Sequence, residues 1–411
     1  MPWREMSPME QRLEFVTEYA SGLWTMTELA AQYGISRKTG YVWVERYARE
    51  GAAGLHDRSR RPQTCPHATD PEVADMLIAL RQRHPRWGPT KLIAVGARRA
   101  PAVEWPARST VAALLKRRGL SVARGRRGAR PPVPVPAPVA PITAANGTWT
   151  TDFKGAFRTG DGAYCHPFTL RDAFSRYVLR CDALAGSTYE ATQRCFARAF
   201  AEYGLPERIR SDNGSPFAGT TGTGLSRLSV WWLRLGIIPE RIRPGHPEQN
   251  GSHEQFHAVL KAATARPPAS TRRGQQRRFD RFRVEYNDER PHEALGNRVP
   301  AALYRPSPRP LPARLPPLDY PGHFEVRRVY SNGCVSWGGA IRFLSDALMN
   351  HHVGFEEVDD AVWTVWFGRV AVGRYDERQR SFLPISSQIS AGRSASSAGS
   401  APASENGDTD T

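Results

Sequence analysis

Apolar positions recur at helical spacing up to about residue 122, and beyond it runs of alternating apolar residues are interspersed with helical ones and with proline-rich stretches. Ser7-Pro8-Met9-Glu10 offers a capping Ser, a Pro at the first helical position and a Glu three residues on. Leu13, Val16, Tyr19 and Ala20 follow at helical spacing. Thr27–Tyr33 predicts a short second helix, Gly34 a tight turn, and Ser36 the cap of a third helix. That third helix is expected to carry Arg37, Lys38, Thr39, Tyr41 and Arg46 outward, with Val42 and Trp43 inward. A short helix, a Gly turn and a polar N-terminus on the next helix make the helix-turn-helix pattern, whose second helix can enter a DNA major groove. A second helical unit follows as 70–83, 90–99 and 109–118, the last helix capped by Ser109 and ending on Lys116, Arg117 and Arg118.

Beyond it the spacing predicts strands at 149–157, 168–171, 177–184, 208–211 and 237–243. Helices are expected at 188–203, 225–235, 252–264 and 277–287. An antiparallel start followed by βαβ crossovers implies an α/β layer with a mixed sheet. Aromatic-rich alternating runs at 324–330, 353–358, 361–367 and 370–375 point to a small C-terminal β-barrel. Two proline-rich stretches punctuate the chain, 131–141 and 300–321, and both read as linkers. The expected organisation is therefore helical domains at 1–60 and 65–122, a basic and proline-rich linker at 123–144, an α/β core at 145–299, a linker at 300–321, a barrel at 322–380 and a disordered Ser/Ala/Gly tail at 386–411.

Charge adds a partner. The 411 residues hold 57 Lys+Arg against 40 Asp+Glu, a net +17. Residues 1–150 hold 23 basic and 12 acidic side chains, a net +11, whereas residues 351–411 are net −4. A basic front half suits a polyanion, because neutralised phosphates release their counterions. No apolar run approaches the roughly 18 residues that span a bilayer. The first five residues lack the apolar core of a signal peptide, so a cytoplasmic location and no membrane partner are expected. Five scattered Cys without C-x-x-C spacing argue against a disulfide framework or a Cys-based zinc finger.

Three carboxylates stand where such a sheet would converge them. Asp152 lies in the first strand, and Asp212 ends the strand 208–211 just before the turn signal Asn213-Gly214. The third acid is Glu248 or Glu254; Glu248 lies in a Pro/Gly loop, whereas Glu254 falls in the first turn of a helix that Ser252 would cap. Rigid support favours Glu254. Three hard oxygen ligands suit Mg²⁺ or Mn²⁺, and a pair of such ions serves in-line phosphoryl transfer without a Ser or Tyr nucleophile.

The segments Thr150-Thr-Asp-Phe-Lys154, Ile209-Arg-Ser-Asp-Asn-Gly214 and Arg243-Pro-Gly-His-Pro-Glu-Gln-Asn-Gly-Ser-His-Glu254 resemble the three motifs of DDE transposases with a retroviral-integrase-type core. Tyr286-Asn-Asp-Glu-Arg-Pro-His-Glu-Ala-Leu295 is similar to the segment that closes that core in bacterial insertion-sequence transposases. In the family pattern the Glu follows a Pro by seven residues, here Pro247 and Glu254, and the extra residues before it fall in the loop 218–224. The resemblance implies an RNase H-like core with a mixed five-stranded sheet, in which Asp152, Asp212 and Glu254 hold two ions. It implies DNA as partner (terminal inverted repeats and target), at least a dimer on that DNA, and a place at the bacterial nucleoid. Arg37, Lys38, Thr39, Tyr41, Arg117, Arg118, Arg126 and Lys154 are the candidate DNA contacts. Two other readings remain: a catalytically inactive DNA-binding regulator derived from a transposase, and a zinc peptidase built on His253-Glu-Gln-Phe-His257. The latter is disfavoured because the continuation lacks the further Gly and His.

Overall fold

The computed structural model describes residues 6–59, 68–121, 141–219, 223–242 and 251–383. Two compact units divide the chain, Met1–Asp70 and Pro71–Thr411.

Capping chemistry sets the first unit. Ser7 and Glu10 form a reciprocal capping box on α1 (Pro8–Ala20), and Thr25 and Glu28 form another on α2 (Met26–Gln32). Ser36 caps α3 (Arg37–Glu50) through the Thr39 amide, and Gly34 takes φ +64° in the turn before it. The inward face of α3 differs from expectation. Val42 is 36% exposed, and the buried position is Gly40, where a Cβ would meet Met26 Sδ at 2.6 Å and Phe15 Cζ at 2.8 Å. Close helix approach takes the place of a Val in the core. Arg12 braces the unit: it donates to Leu55 O (2.8 Å), pairs with Asp57 (2.8 Å) and lies 4.1 Å over the Trp43 ring.

The second unit opens with α4 (Pro71–Arg83), α5 (Pro89–Arg99) and α6 (Arg108–Arg117), packed around Leu77, Trp87, Leu92, Val95 and Val111. Ser109 sits inside α6, whose N-cap is Ala107 without a side-chain bond, so the expected Ser cap is not made. These helices dock on the segment after the core's last long helix. Arg83 pairs with Glu289 (3.2 Å), Lys91 donates to Pro291 O (2.8 Å), and Arg98 donates to Glu289 O (2.9 Å). His84 stacks on Trp87 at 3.7 Å and reaches Glu285 at 3.1 Å.

The core sheet is mixed. Its strands are β1 (Thr148–Phe153), β2 (Phe157–Arg158), β3 (Tyr164–Asp172), β4 (Val178–Leu184), β5 (Arg208–Ser211) and β6 (Ile238–Arg241). β3 pairs antiparallel with β1, β4 and the short β2, while β1, β5 and β6 run parallel. The sheet thus has six strands, one more than expected, because β2 takes up β3 at Tyr164–Cys165 beyond the end of β1. Alternation sorts the faces. Trp149 and Phe168 join the apolar side, covered by α7 (Tyr189–Tyr203) and α8 (Arg227–Arg234) through Phe196, Phe200 and Trp232. α9 (Gly251–Thr264) and α10 (Arg272–Val284) pack through Phe256, Leu260, Phe279 and Phe282 against Val178 and Cys181.

The proline-rich stretch after the core is packed rather than free. Pro300 opens a short helix, α11 (Pro300–Leu303), where a missing N–H is tolerated. Tyr304 is buried against Tyr177, and the Arg309 carbonyl accepts from Leu205 N (2.7 Å). The expected C-terminal barrel does not close. β7 (Glu325–Arg328), β10 (His352–Asp359), β11 (Val362–Phe367), β12 (Val370–Asp376) and β13 (Ser381–Leu383) form an open sheet in the order β13-β12-β11-β10-β7. Among the described residues its outer strands β7 and β13 each pair on one side only, while β8 (Cys334–Trp337) and β9 (Ala340–Phe343) make a separate hairpin. Trp337 of that hairpin stacks on Phe355 at 3.9 Å, so packing replaces hydrogen-bonded closure. Among the described residues no helix is long and apolar enough to cross a membrane.

Candidate active site

The polar face of the sheet is built from four side chains in register. Asp152 pairs across from Thr169 and Thr150 from Arg171, so all four project to one face. The parallel pairing of β1 with β5 matches 148 with 208, 149 with 209 and 150 with 210. Asp212, directly after β5, therefore reaches the sheet end where Asp152 stands. A buried pair, Arg210 to Glu240 at 2.6 Å, fastens β5 to β6, and Asn213 Nδ2 donates to Ile242 O (2.9 Å). Asp212 Oδ1 accepts from Gly214 N (3.2 Å).

Glu254 stands exposed in the first turn of α9, whose buried face is His253, Phe256, His257, Leu260 and Thr264. Two rivets hold that turn. Arg171, fully buried, donates to Ser252 O (3.2 Å) and Ser252 Oγ (2.9 Å) and lies 5.0 Å over the Phe256 ring. Ser252 is thus an anchor within the helix and not the cap expected of it. Thr169 Oγ1 is the second rivet, 2.7 Å from His253 Nε2, 2.8 Å from His257 Nε2 and 3.0 Å from Asp152 O. With the one hydroxyl proton given to the Asp152 carbonyl, both histidines donate from Nε2. His253 Nδ1 meets Thr150 Oγ1 at 3.0 Å, and His257 Nδ1 lies 3.5 Å from Asp152 Oδ2. The His253-Glu-Gln-Phe-His257 motif is therefore a hydrogen-bonded tie between α9 and the sheet, with its ring nitrogens already engaged.

Carboxylate charge is concentrated here, with Lys154 as a partial counter-charge. Burial first, then the neighbouring Asp212, pushes the Asp152 carboxyl up to about 7; Lys154 works against the rise and Glu254 adds to it. Burial also raises Asp212, with the Gly214 amide opposing. Burial holds His253 well below its ordinary value and His257 down at about 3, so both rings are neutral. Clustered carboxylates that resist ionisation in the absence of a counter-charge fit hard divalent cations as ligands. Among the described residues, however, no three His, Cys, Asp or Glu side chains are close enough to enclose an ion, and Glu254 is the weakest influence on Asp152.

The other candidate residues fall in several places. Arg37, Lys38, Thr39 and Tyr41 are exposed at the start of α3; Thr39 Oγ1 bonds Ser36 Oγ (2.8 Å) and Tyr41 meets Tyr19 edge-on at 6.3 Å. Arg117 and Arg118 are exposed at the end of α6. Lys154 is half-buried beside Asp152 and His257, whose pKa values it lowers. Arg126 and Glu248 lie outside the described residues. Thr150, Thr169 and Arg171 carry no signal of their own in the sequence, although Thr150 lies inside the first of the three motifs.

Comparison with known proteins finds domain matches along the chain. Residues 11–63 match a helix-turn-helix domain, 39–115 a homeodomain-like domain, and 142–247 and 235–300 two integrase core domain models. An uncharacterized 31.7 kDa protein of insertion element IS407 from Burkholderia multivorans (strain ATCC 17616 / 249) is 26% identical over 160 residues, which is 38% of this chain and 55% of that protein. The chain thus spans about half the length of the curated relative it matches. Among solved structures, the HTLV-2 integrase catalytic core domain in complex with magnesium is 15% identical at a TM-score of 0.32, covering 39% of this chain and 97% of that one. The BIV integrase catalytic core domain is 19% identical at 0.30, covering 39% and 93%. A simian T-cell lymphotropic virus intasome in complex with PP2A regulatory subunit B56 gamma is 13% identical at 0.37, covering 75% and 95%. Residues 142–300 thus match the integrase core domain, as the three motifs that resemble those of DDE transposases and integrases lead one to expect.

Proposed function

We propose that the protein is the transposase of a bacterial insertion element, binding the element's terminal inverted repeats and joining its ends to target DNA. The observation that carries this is the meeting of Asp152 and Asp212 at one sheet end, with the Asp152 carboxyl pushed up to about 7 partly by Asp212. Asp152, Asp212 and Glu254 would hold two Mg²⁺ or Mn²⁺ ions. When bound, such a pair supplies charge stabilisation to the attacking and leaving oxygens of an in-line phosphoryl transfer. The chain's own residues set the geometry. Arg171 and Thr169 fix the turn that carries Glu254, His257 flanks Asp152, and Lys154 supplies a positive charge beside the scissile phosphate. The exposed start of α3 would read the repeat in the major groove, with Arg117 and Arg118 on the backbone. Pairing two element ends calls for at least a dimer on DNA, acting at the nucleoid.

The test is strand joining by the full chain. A labelled duplex ending in the element's terminal repeat is incubated with supercoiled target and Mg²⁺, and joined strands are resolved on a denaturing gel. Asp152→Asn, Asp212→Asn and Glu254→Gln should each reduce joining by about 1,000-fold, the scale of losing a main electrostatic group. Undiminished joining by these variants overturns the assignment.

A further inference from the structure

The α10 sequence, Arg272-Arg-Gly-Gln-Gln-Arg-Arg-Phe-Asp-Arg-Phe-Arg-Val284, holds six Arg and one acid. Gln275, Phe279 and Phe282 are its buried side, so the helix presents Arg273, Arg277 and Arg281 outward at four-residue intervals. Successive members of that row rise by about 6 Å along the axis. None of the three enters an ion pair among the described residues. The carboxylates nearest in sequence are engaged elsewhere: Asp280 accepts from Gln276 (2.9 Å), and Glu285 faces His84 (3.1 Å). The other arginines differ. Arg283 donates to Leu179 O (2.9 Å), and Arg278 to Pro267 O (2.5 Å).

The row ends at a notch of about 370 Å³, lined by Thr264, Arg266, Arg278, Arg281, Phe282 and Glu285. Thr264 closes α9, the helix whose first turn carries Glu254, and the helix rise separates the two by about 15 Å. That is roughly half a turn of B-DNA, whose turn measures about 34–36 Å. A straight duplex with a phosphate at the carboxylates is therefore long enough to span that distance.

We propose that Arg273, Arg277 and Arg281, with the Arg266–Arg278 notch, form a sequence-independent landing for the phosphate backbone of duplex DNA on the side of the core that α10 covers. The surface suits backbone contact: three exposed guanidiniums in a row, against which only Asp280 on the helix and Glu285 at the notch set negative charge. The proposal rests on the DNA-processing role above for the choice of polyanion, but its test needs no catalysis.

Binding of the full chain to a fluorescein-labelled duplex of arbitrary sequence is followed by anisotropy in EDTA across a KCl series. Arg273→Gln/Arg277→Gln/Arg281→Gln should weaken binding at least about tenfold and flatten the log–log salt slope by about 0.9 for each phosphate no longer neutralised. The corresponding Lys triple variant should keep most of the slope, and the thermal melts of both should match the parent. An unchanged slope in the Gln variant overturns the proposal, and that is the result if the ridge meets an acidic protein face instead. Equal weakening in the Lys variant also overturns it, since it marks a structural role. Failed strand joining with a flattened slope would sink the catalytic reading alone; normal joining with an unchanged slope would sink this one alone.

Discussion

Asp152 and Asp212 come from neighbouring parallel strands held at a constant offset of 60 positions, 148 with 208 through 150 with 210. Burial first and then Asp212 make the ionisation of Asp152 harder to sustain, and burial does the same to Asp212. The metal-free site is thus electrostatically strained, and the strain is measurable without any reaction.

Asp152 gives the first prediction. Its folded pKa of about 7 lies above the ordinary 3.8, so between those values the folded chain keeps a proton that the unfolded chain has released. Stability from this group is present in acid and falls as pH rises through that window. Asp152→Asn should therefore stabilise the metal-free protein at about pH 8, by up to about 4 kcal/mol, and have little effect at about pH 4. Mg²⁺ should raise the melting temperature of the parent more than that of the variant. Thermal melts in EDTA and in MgCl₂ at both pH values check this, and superimposable curves would refute it.

The buried histidines carry the opposite sign. Burial depresses His253, His257 and His292, the last two to about 3, from an ordinary 6.5. A depressed histidine contributes stability above 6.5 that is lost as pH falls toward its folded value, because only the unfolded chain takes up the proton. Each contributes a slope of about 1.4 kcal/mol per pH unit toward acid lability, which the raised carboxyls of Asp152, Asp172 and Asp212 oppose. His257→Asn keeps a polar group beside Asp152 and should shallow the decline by one histidine's share. Urea melts at a series of pH values below 6.5 would show it, and an unaltered slope counts against the assignment.

Most of the core strands and helices and the two aspartates were legible because their cues are local, whereas the short β2, β8, β9 and β13 were not. Trp149 and Asp152 fall on opposite faces by simple alternation, and Gly214 marks the turn after Asp212. What eluded the sequence was long-range. Arg171 reads as a surface charge until Ser252, 81 positions on, is brought over it. The spacing of His253 and His257 was visible, but spacing alone does not distinguish a zinc pair from a pair sharing one hydroxyl, and Thr169 decides it. Barrel closure likewise depends on strand edges meeting, which alternating Val353–Val358 and Ala361–Phe367 do not specify.

Arg171 offers a test of how Glu254 is held. Its two terminal nitrogens grip Ser252 in a fork that a single ammonium cannot reproduce. Arg171→Lys should loosen the first turn of α9 while the hydrophobic packing of Phe256 and Leu260 persists. Hydrogen exchange at residues 252–256 should accelerate, and Mg²⁺ affinity by calorimetry should fall about tenfold, the size of effect seen when a group supporting a ligand is removed. Unchanged exchange in that turn would show that Arg171 does not position it.

The start of α3 separates recognition from folding. Arg37 and Lys38 are exposed and enter no ion pair among the described residues, whereas Gly40, three and two positions on, lies where Phe15 and Met26 leave no room for a Cβ. Arg37→Ala/Lys38→Ala should leave the thermal melt in place and reduce the salt slope of terminal-repeat binding by about 0.9 for each phosphate that the pair neutralises. Gly40→Val should do the reverse at its origin: it overpacks the three-helix unit by about 1–3 kcal/mol, lowering the melting temperature of the isolated segment 6–59 and weakening binding only in proportion to the unfolded fraction. If the Ala pair melts early, or binds with its salt slope intact, α3 does not face the DNA with this edge.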